Sequence, residues 1–120
     1  DDNDLKSIIK YLKDDVISIN NCSLLLKKVD NMNTNSLKQV MDNLVNEYNS
    51  IFILLANVNG DTVNLLARSN NPKLNAGVIL KDAANTCLGN GGGSPTFAQG
   101  GAKSIDEKII SEVEKAINNG

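Results

Sequence analysis

Five consecutive apolar residues, Ile51-Phe52-Ile53-Leu54-Leu55, constrain this chain more than any other feature. Successive side chains of a strand point to opposite faces, so a strand without polar alternates belongs in the middle of a sheet. The β-rich run continues to Val58 and meets Asn59-Gly60-Asp61, turn chemistry that supplies positive φ. Residues 62–68 are β-rich again, and the two runs form a hairpin.

The other periodicities arrange themselves around that hairpin. Leu5, Ile8, Ile9, Leu12, Val16 and Ile19 fall on one stripe of a helix over residues 5–19. Its apolar face is either a coiled-coil or dimer contact or a surface folded back on its own domain. Leu24-Leu25-Leu26-Lys27-Lys28-Val29 reads as a strand with a basic end. Thr34, Asn35 or Ser36 caps the next helix, which buries Leu37, Val40, Met41, Leu44, Val45 and Tyr48. A helix begins again around Asn75, offers Ala76, Ile79, Leu80, Ala83, Ala84, Cys87 and Leu88 for packing, and stops at Gly89. Thr96 to Gln99 read as a short strand. Ser104-Ile105-Asp106-Glu107 is a capping-box pattern opening a last helix with Ile105, Ile109, Ile110, Val113 and Ile117 on its buried face. The expected fold is α/β, a two-layer sandwich with a mixed β-sheet in the order β-α-β-β-α-β-α, preceded by an N-terminal helix.

At 120 residues and 41% hydrophobic content the chain suits one modest core. Aromatic content is 3% with no Trp, which leaves few platforms for stacking bases. There is no His, so Ser–His–Asp and Cys–His relays are excluded. The adjacent carboxylates Asp14 and Asp15, or Asp106 and Glu107, do not face each other on a helix and suit surface charge or helix N-termini better than acid–base work. Cys22 and Cys87 have no second Cys or His nearby, which predicts small thiols and no metal site. No apolar run is long enough to span a membrane. The start at Asp1, without Met or leader, predicts a fragment of a larger cytoplasmic protein.

Between the third helical pattern and the last lies Gly91-Gly92-Gly93-Ser94-Pro95-Thr96-Phe97-Ala98-Gln99-Gly100-Gly101. Backbone stripped of side chains admits close approach, and successive N–H groups leading toward a helix start suit a phosphate or other anion. The competing reading is architectural: Gly89 caps a helix, and the other glycines make tight turns and let a strand meet a helix closely. No Lys-Ser or Lys-Thr follows the glycines, so this is not a nucleotide-binding P-loop. The net charge of −2 is a poor footprint for bulk electrostatic binding of nucleic acid. From Thr62 to Ile105, however, Arg68, Lys73, Lys81 and Lys103 face Asp82 alone, a balance of +3.

The GGG-x-P run followed by AQGG resembles the signature of the DHH-associated domain in the form found at the carboxy-terminal end of alanyl-tRNA synthetases. Leu74-Asn75-Ala76-Gly77-Val78-Ile79-Leu80 resembles that family's helix entry, residues 51–68 its hairpin, and the order of elements agrees from Cys22 to Ile117. One position departs: Ser94 stands where the synthetases usually carry a basic residue and the phosphoesterase relatives often carry His.

The resemblance implies a non-catalytic module, with residues 1–20 as a helix ending a linker or making a dimer contact and 21–120 as the domain. It implies contact with the elbow of alanine-accepting tRNA through Gly91, Gly92, Gly93, Ser94, Gln99, Gly100 and Gly101, assisted by Lys103, Arg68, Lys73 and Lys81. Partners would be other domains of the same synthetase and a second copy through residues 5–19. ATP, Mg and any Zn would belong to the parent's other domains, with no cofactor in this one. Two further readings are the substrate-binding half of a DHH-type phosphoesterase and an element chiefly for oligomerisation.

Overall fold

The computed structural model describes residues 2–19, 21–86, 88–103, 110, 111, 113–115 and 117. Helix α1 (Asp2–Lys13) leads to strands β1 (Ile17–Ile19) and β2 (Cys22–Asp30), helix α2 (Thr34–Glu47), and the hairpin β3 (Ile51–Asn59) and β4 (Thr62–Ser69). Helix α3 (Ala76–Thr86), β5 (Asn90–Gly93) and β6 (Phe97–Ala102) follow, and helical residues reappear at Ile110, Val113 and Ile117. The six strands form one mixed sheet in the order β1-β2-β3-β4-β6-β5. Only the β2–β3 pair is parallel.

The apolar run at β3 does what its sequence requires. It lies third in the sheet, and Ile51 to Asn57 are all buried. Alternate side chains feed two separate cores. Phe52, Leu54 and Ala56 join Leu24, Leu65, Ala67, α3 and the helical Val113 and Ile117. Ile51, Ile53 and Leu55 join Leu25, Val29, Leu66, Leu12 of α1 and the buried face of α2. The α/β class and mixed sheet are as expected, but the helices divide between both faces, so there are three layers where two were expected. A strand apolar on both faces needs a cover on each.

Three local expectations are corrected. The first helix ends at Lys13, and Val16 and Ile19 lie outside it. Asp15 and Val16 close its end with short-range bonds to Leu12 and Lys13, and Ile17 to Ile19 turn back as a strand against Cys22 to Leu24. Of the two β-branched residues that complete the helical stripe, Ile19 pairs in the sheet instead and Val16 lies in the connection before it. Leu12 is fully buried, with Leu5, Ile8 and Ile9 packed beside it, so this face folds back on its own domain. The cap of α2 is Asn33, whose side chain accepts the Ser36 N–H at 3.1 Å. Val45 and Tyr48 are only half-buried. The β3–β4 turn is as expected, with Gly60 supplying φ of 60°. The capping box at 104–107, Ile105 and Ile109 fall outside the described residues, as does Cys87; Cys22 is a buried free thiol.

Lys27 rests over the Tyr11 ring and binds Asp15, and that hydrogen bond raises its pKa against the opposing effect of burial. Two asparagines tie loops to the sheet. Buried Asn57 accepts from Met32 N–H and donates to Met32 C=O, at 3.0 and 2.7 Å. Asn70 donates to the carbonyls of Val45 and Tyr48 at the end of α2 and accepts the Ile51 N–H that starts β3. Replacing Asn70 by Ala strands several partly buried backbone groups, and chemical denaturation should register a loss of about 3 kcal/mol. A loss below about 1 kcal/mol would show that these bonds are dispensable.

Candidate nucleic-acid interface

The glycine run is not a loop. Asn90 to Gly93 form edge strand β5, paired antiparallel with β6 through Asn90–Gly101, Gly91–Gly100, Gly92–Gln99 and Gly93–Ala98. The strand expected at residues 96–99 is longer than its apolar signal because Gly100, Gly101 and Ala102 continue the ladder to β4. Pro95 and Thr96 make the turn. Ser94 N–H donates to Phe97 C=O, and the Ser94 hydroxyl accepts the Phe97 N–H at 3.1 Å, so that side chain is engaged in its own hairpin.

The run is thus a strand and not a concave loop of donors, and the helix start expected after it lies outside the described residues. The first amides of α3 are already used: Ala76 and Gly77 donate to the carbonyls of Pro95 and Ser94, and Val78 donates to the Asn75 side chain. What survives is an edge. Ser94–Phe97 is a hydrogen-bonded pair, and the alternation of an antiparallel ladder then turns Asn90 and Gly92 toward β6 and the N–H groups of Gly91 and Gly93 outward. Those two amides have no backbone partner among the described residues.

The two sides of the hairpin differ. Gly91 and Gly100 face α3, where Leu80 lies against both. A methyl group on Gly100 would stand 2.5 Å from Asn90 O, and one on Gly89 1.9 Å from Gly101 O. Close approach thus accounts for part of the glycine content. The other side carries Gly92, Gln99 and Gly101 in register with Asn64 and Leu66 of β4, and there Gln99 and Asn90 are exposed. Half-buried Phe97 shares this side, with the Lys38 ammonium 5.8 Å from its ring. Asn64, Asn90, Phe97 and Lys38 were not among the sequence candidates. The signal for the first three is strand alternation, which emerges only once residues 90–93 are known to be a strand; Lys38 becomes a neighbour through tertiary packing.

The four basic candidates do not converge. Lys73 precedes α3 and Lys103 follows β6, at opposite ends of a helix of 11 residues, about 16 Å long. Lys81 is exposed on α3 itself. Arg68 lies on the α2 side of β4, where it binds Asp42 at 3.1 Å, and its buried Nε has no partner among the described residues.

The end of α3 also departs from expectation. Gly89 is not the left-handed residue. Leu88 takes that role with φ of 61° and is 74% exposed, so it does not pack. Among the described residues no group of three or more His, Cys, Asp or Glu could hold a metal, and no helix is long and apolar enough to cross a membrane.

Both the sequence and the fold have counterparts among known proteins. The model of the DHHA1 domain matches residues 21–119. The chain belongs to the DHHA1 domain family. It is 36% identical over 116 residues to the alanine–tRNA ligase of Bacillus cytotoxicus, covering 89% of this chain and 13% of that protein. It is 40% identical over 96 residues to the alanine–tRNA ligase of Exiguobacterium sibiricum, covering 77% of this chain and 11% of that one. The chain thus spans only a small part of these relatives' length. Its fold matches the C-Ala domain of Aquifex aeolicus alanyl-tRNA synthetase with a TM-score of 0.77 at 23% identity, covering 88% of this chain and 98% of the other. A DHH-domain protein described as a member of the s1p family of ribosomal proteins shares the fold at a TM-score of 0.61 and 13% identity, covering 98% of this chain and 31% of that one.

Glycines 100 and 101 are adjacent yet should respond differently to a methyl group. Gly100→Ala meets backbone at 2.5 Å, whereas the nearest atom to a methyl on Gly101 is 3.6 Å away. Thermal unfolding should show Gly100→Ala less stable by about 2 kcal/mol and Gly101→Ala within about 0.5 kcal/mol of the parent. Equal effects would refute the register given for β5 and β6.

Proposed function

We propose that this DHHA1 domain is the carboxy-terminal tRNA-binding and assembly module of an alanine–tRNA ligase. It would hold the tRNA elbow while other parts of the synthetase aminoacylate and edit. ATP, Mg and any Zn are assigned to those parts, and the setting is the cytoplasm. The observation that supports this reading most is the similarity to alanine–tRNA ligases over most of the chain together with a glycine edge strand, β5, whose outward amides have no backbone partner among the described residues. Outward amides of Gly91 and Gly93 suit phosphate and ribose oxygens, which is recognition of shape with little base identity. Gln99 and the exposed side chain of Asn90 add amide donors on the bare face of the hairpin.

Ser94 contributes by shaping the turn, its N–H donated to Phe97 C=O and its carbonyl accepting the Gly77 N–H. With its hydroxyl bound inside the turn, it offers no substitute for the His that phosphoesterase relatives often carry there, which weighs against that reading. Lys73, Lys81 and Lys103 act as separate phosphate contacts around the domain's rim, and Arg68 as a positioning residue held by Asp42. A dimer contact through residues 5–19 would use what remains exposed of α1 and β1, chiefly Tyr11 and Ile17. Sedimentation of the intact chain checks that contact, since removing residues 1–20 would uncover the core at Leu12.

Titration with alanine-accepting tRNA over a salt series tests the reading. The chain should bind with a Kd on the order of 10⁻⁴ to 10⁻⁶ M. Lys81→Gln and Lys103→Gln should each weaken binding and reduce the salt slope by about 1, because each lost phosphate contact removes a counterion-release contribution. No binding at about 1 mM tRNA, or unchanged slopes in both variants, would overturn it.

A further inference from the structure

Leu88 is placed at odds with its chemistry. Its φ of 61° lies in the left-handed region, where Cβ crowds the following carbonyl. Its side chain is also 74% exposed, so no burial offsets that cost. The helix end does not require leucine. The Leu88 N–H to Asn85 C=O and Gly89 N–H to Ala84 C=O bonds use backbone alone, and a glycine at 88 would make both. The neighbouring glycine is not free to exchange places, because a methyl group on Gly89 would collide with Gly101 O at 1.9 Å. Among the described residues nothing in the packing or the hydrogen bonds requires leucine at this position.

Its surroundings suggest another reason. Lys81 and Asn85 are exposed one turn apart on the outer side of α3, leading to Leu88. Exposed Lys103 follows Ala102, whose backbone lies against Gly89. Exposed Asn90 begins β5 two residues beyond Leu88, and Asp82 is the single carboxylate of α3. An exposed apolar side chain just past the end of α3, in a region that also carries these lysines and amides, complements a polyanion that also presents apolar faces. We propose that Leu88 is an RNA contact, packing on a base or ribose of the bound tRNA while Lys81 and Lys103 take phosphates on either side. This rests on the tRNA reading above.

Leu88→Gly and Leu88→Asn test it, since both residues accept left-handed backbone. Both should melt higher than the parent, Leu88→Gly by about 4 °C. Both should bind alanine-accepting tRNA about tenfold more weakly, with the salt slope unchanged because no phosphate contact is lost. Affinity within about twofold of the parent would overturn the contact, and so would a lower melting temperature in both variants, which would make the leucine a folding residue. In either case the tRNA reading survives if Lys81→Gln and Lys103→Gln still flatten the salt slope. A parent chain that does not bind tRNA overturns both.

Discussion

The close seating of α3 on the β5–β6 hairpin governs the functional half of this domain. At Gly77 the start of α3 lies against the carbonyl of Gly93, at Gly89 the chain leaving α3 meets β6, and at Gly100 β6 meets β5, each backbone to backbone with no room for a side chain. Because the contact is so close, α3 can donate its first amides to the turn carbonyls of Ser94 and Pro95 while Leu80 packs against the glycines. One set of approaches thus caps a helix, ends the sheet and closes a core.

The opposite half of the sheet is built on different terms. There α1 and α2 cover β2, β3 and part of β4 with large aliphatic side chains, and asparagines hold the connections. Asn57 and Asn70 are polar residues among apolar neighbours, and each is matched to a loop or helix end whose backbone groups have no ladder partner. The bare face of β5 and β6 exists because the buried face of α2 is directed at β3 and β4. An amide-rich surface beside a closely packed glycine hairpin combines rigidity with hydrogen-bonding capacity, the pairing that recognition of RNA by shape asks of a protein.

Legibility varied with the range of the interactions that decide each element. The β3–β4 hairpin could be read because its turn residues and apolar runs are local, and the buried stripe of α2 could be read from its period at Leu37, Val40, Met41 and Leu44. The first helix was overextended because Val16 and Ile19 satisfy a helical period equally well, and only pairing with β2 decides against it. The four residues of β5 have almost no side-chain signal, since three are glycine; their strand character comes from β6. The glycine run marks the place of close approach, but which amides remain free depends on a register that no local pattern encodes.

The chain's own residues determined that a strand apolar on both faces would be central, that a turn at Asn59-Gly60-Asp61 would follow it, and that something would come very near the backbone around residues 91–101. Those follow from side-chain hydrophobicity and from the lack of Cβ atoms, properties each residue has before folding. Tertiary structure alone decided that the near neighbour is α3, that Ser94 turns inward, that the basic residues spread around the rim, and that Leu88 stands out in left-handed backbone. Each of these is a competition between alternative partners for the same amides and the same space, settled only when the sheet and its two covers are assembled.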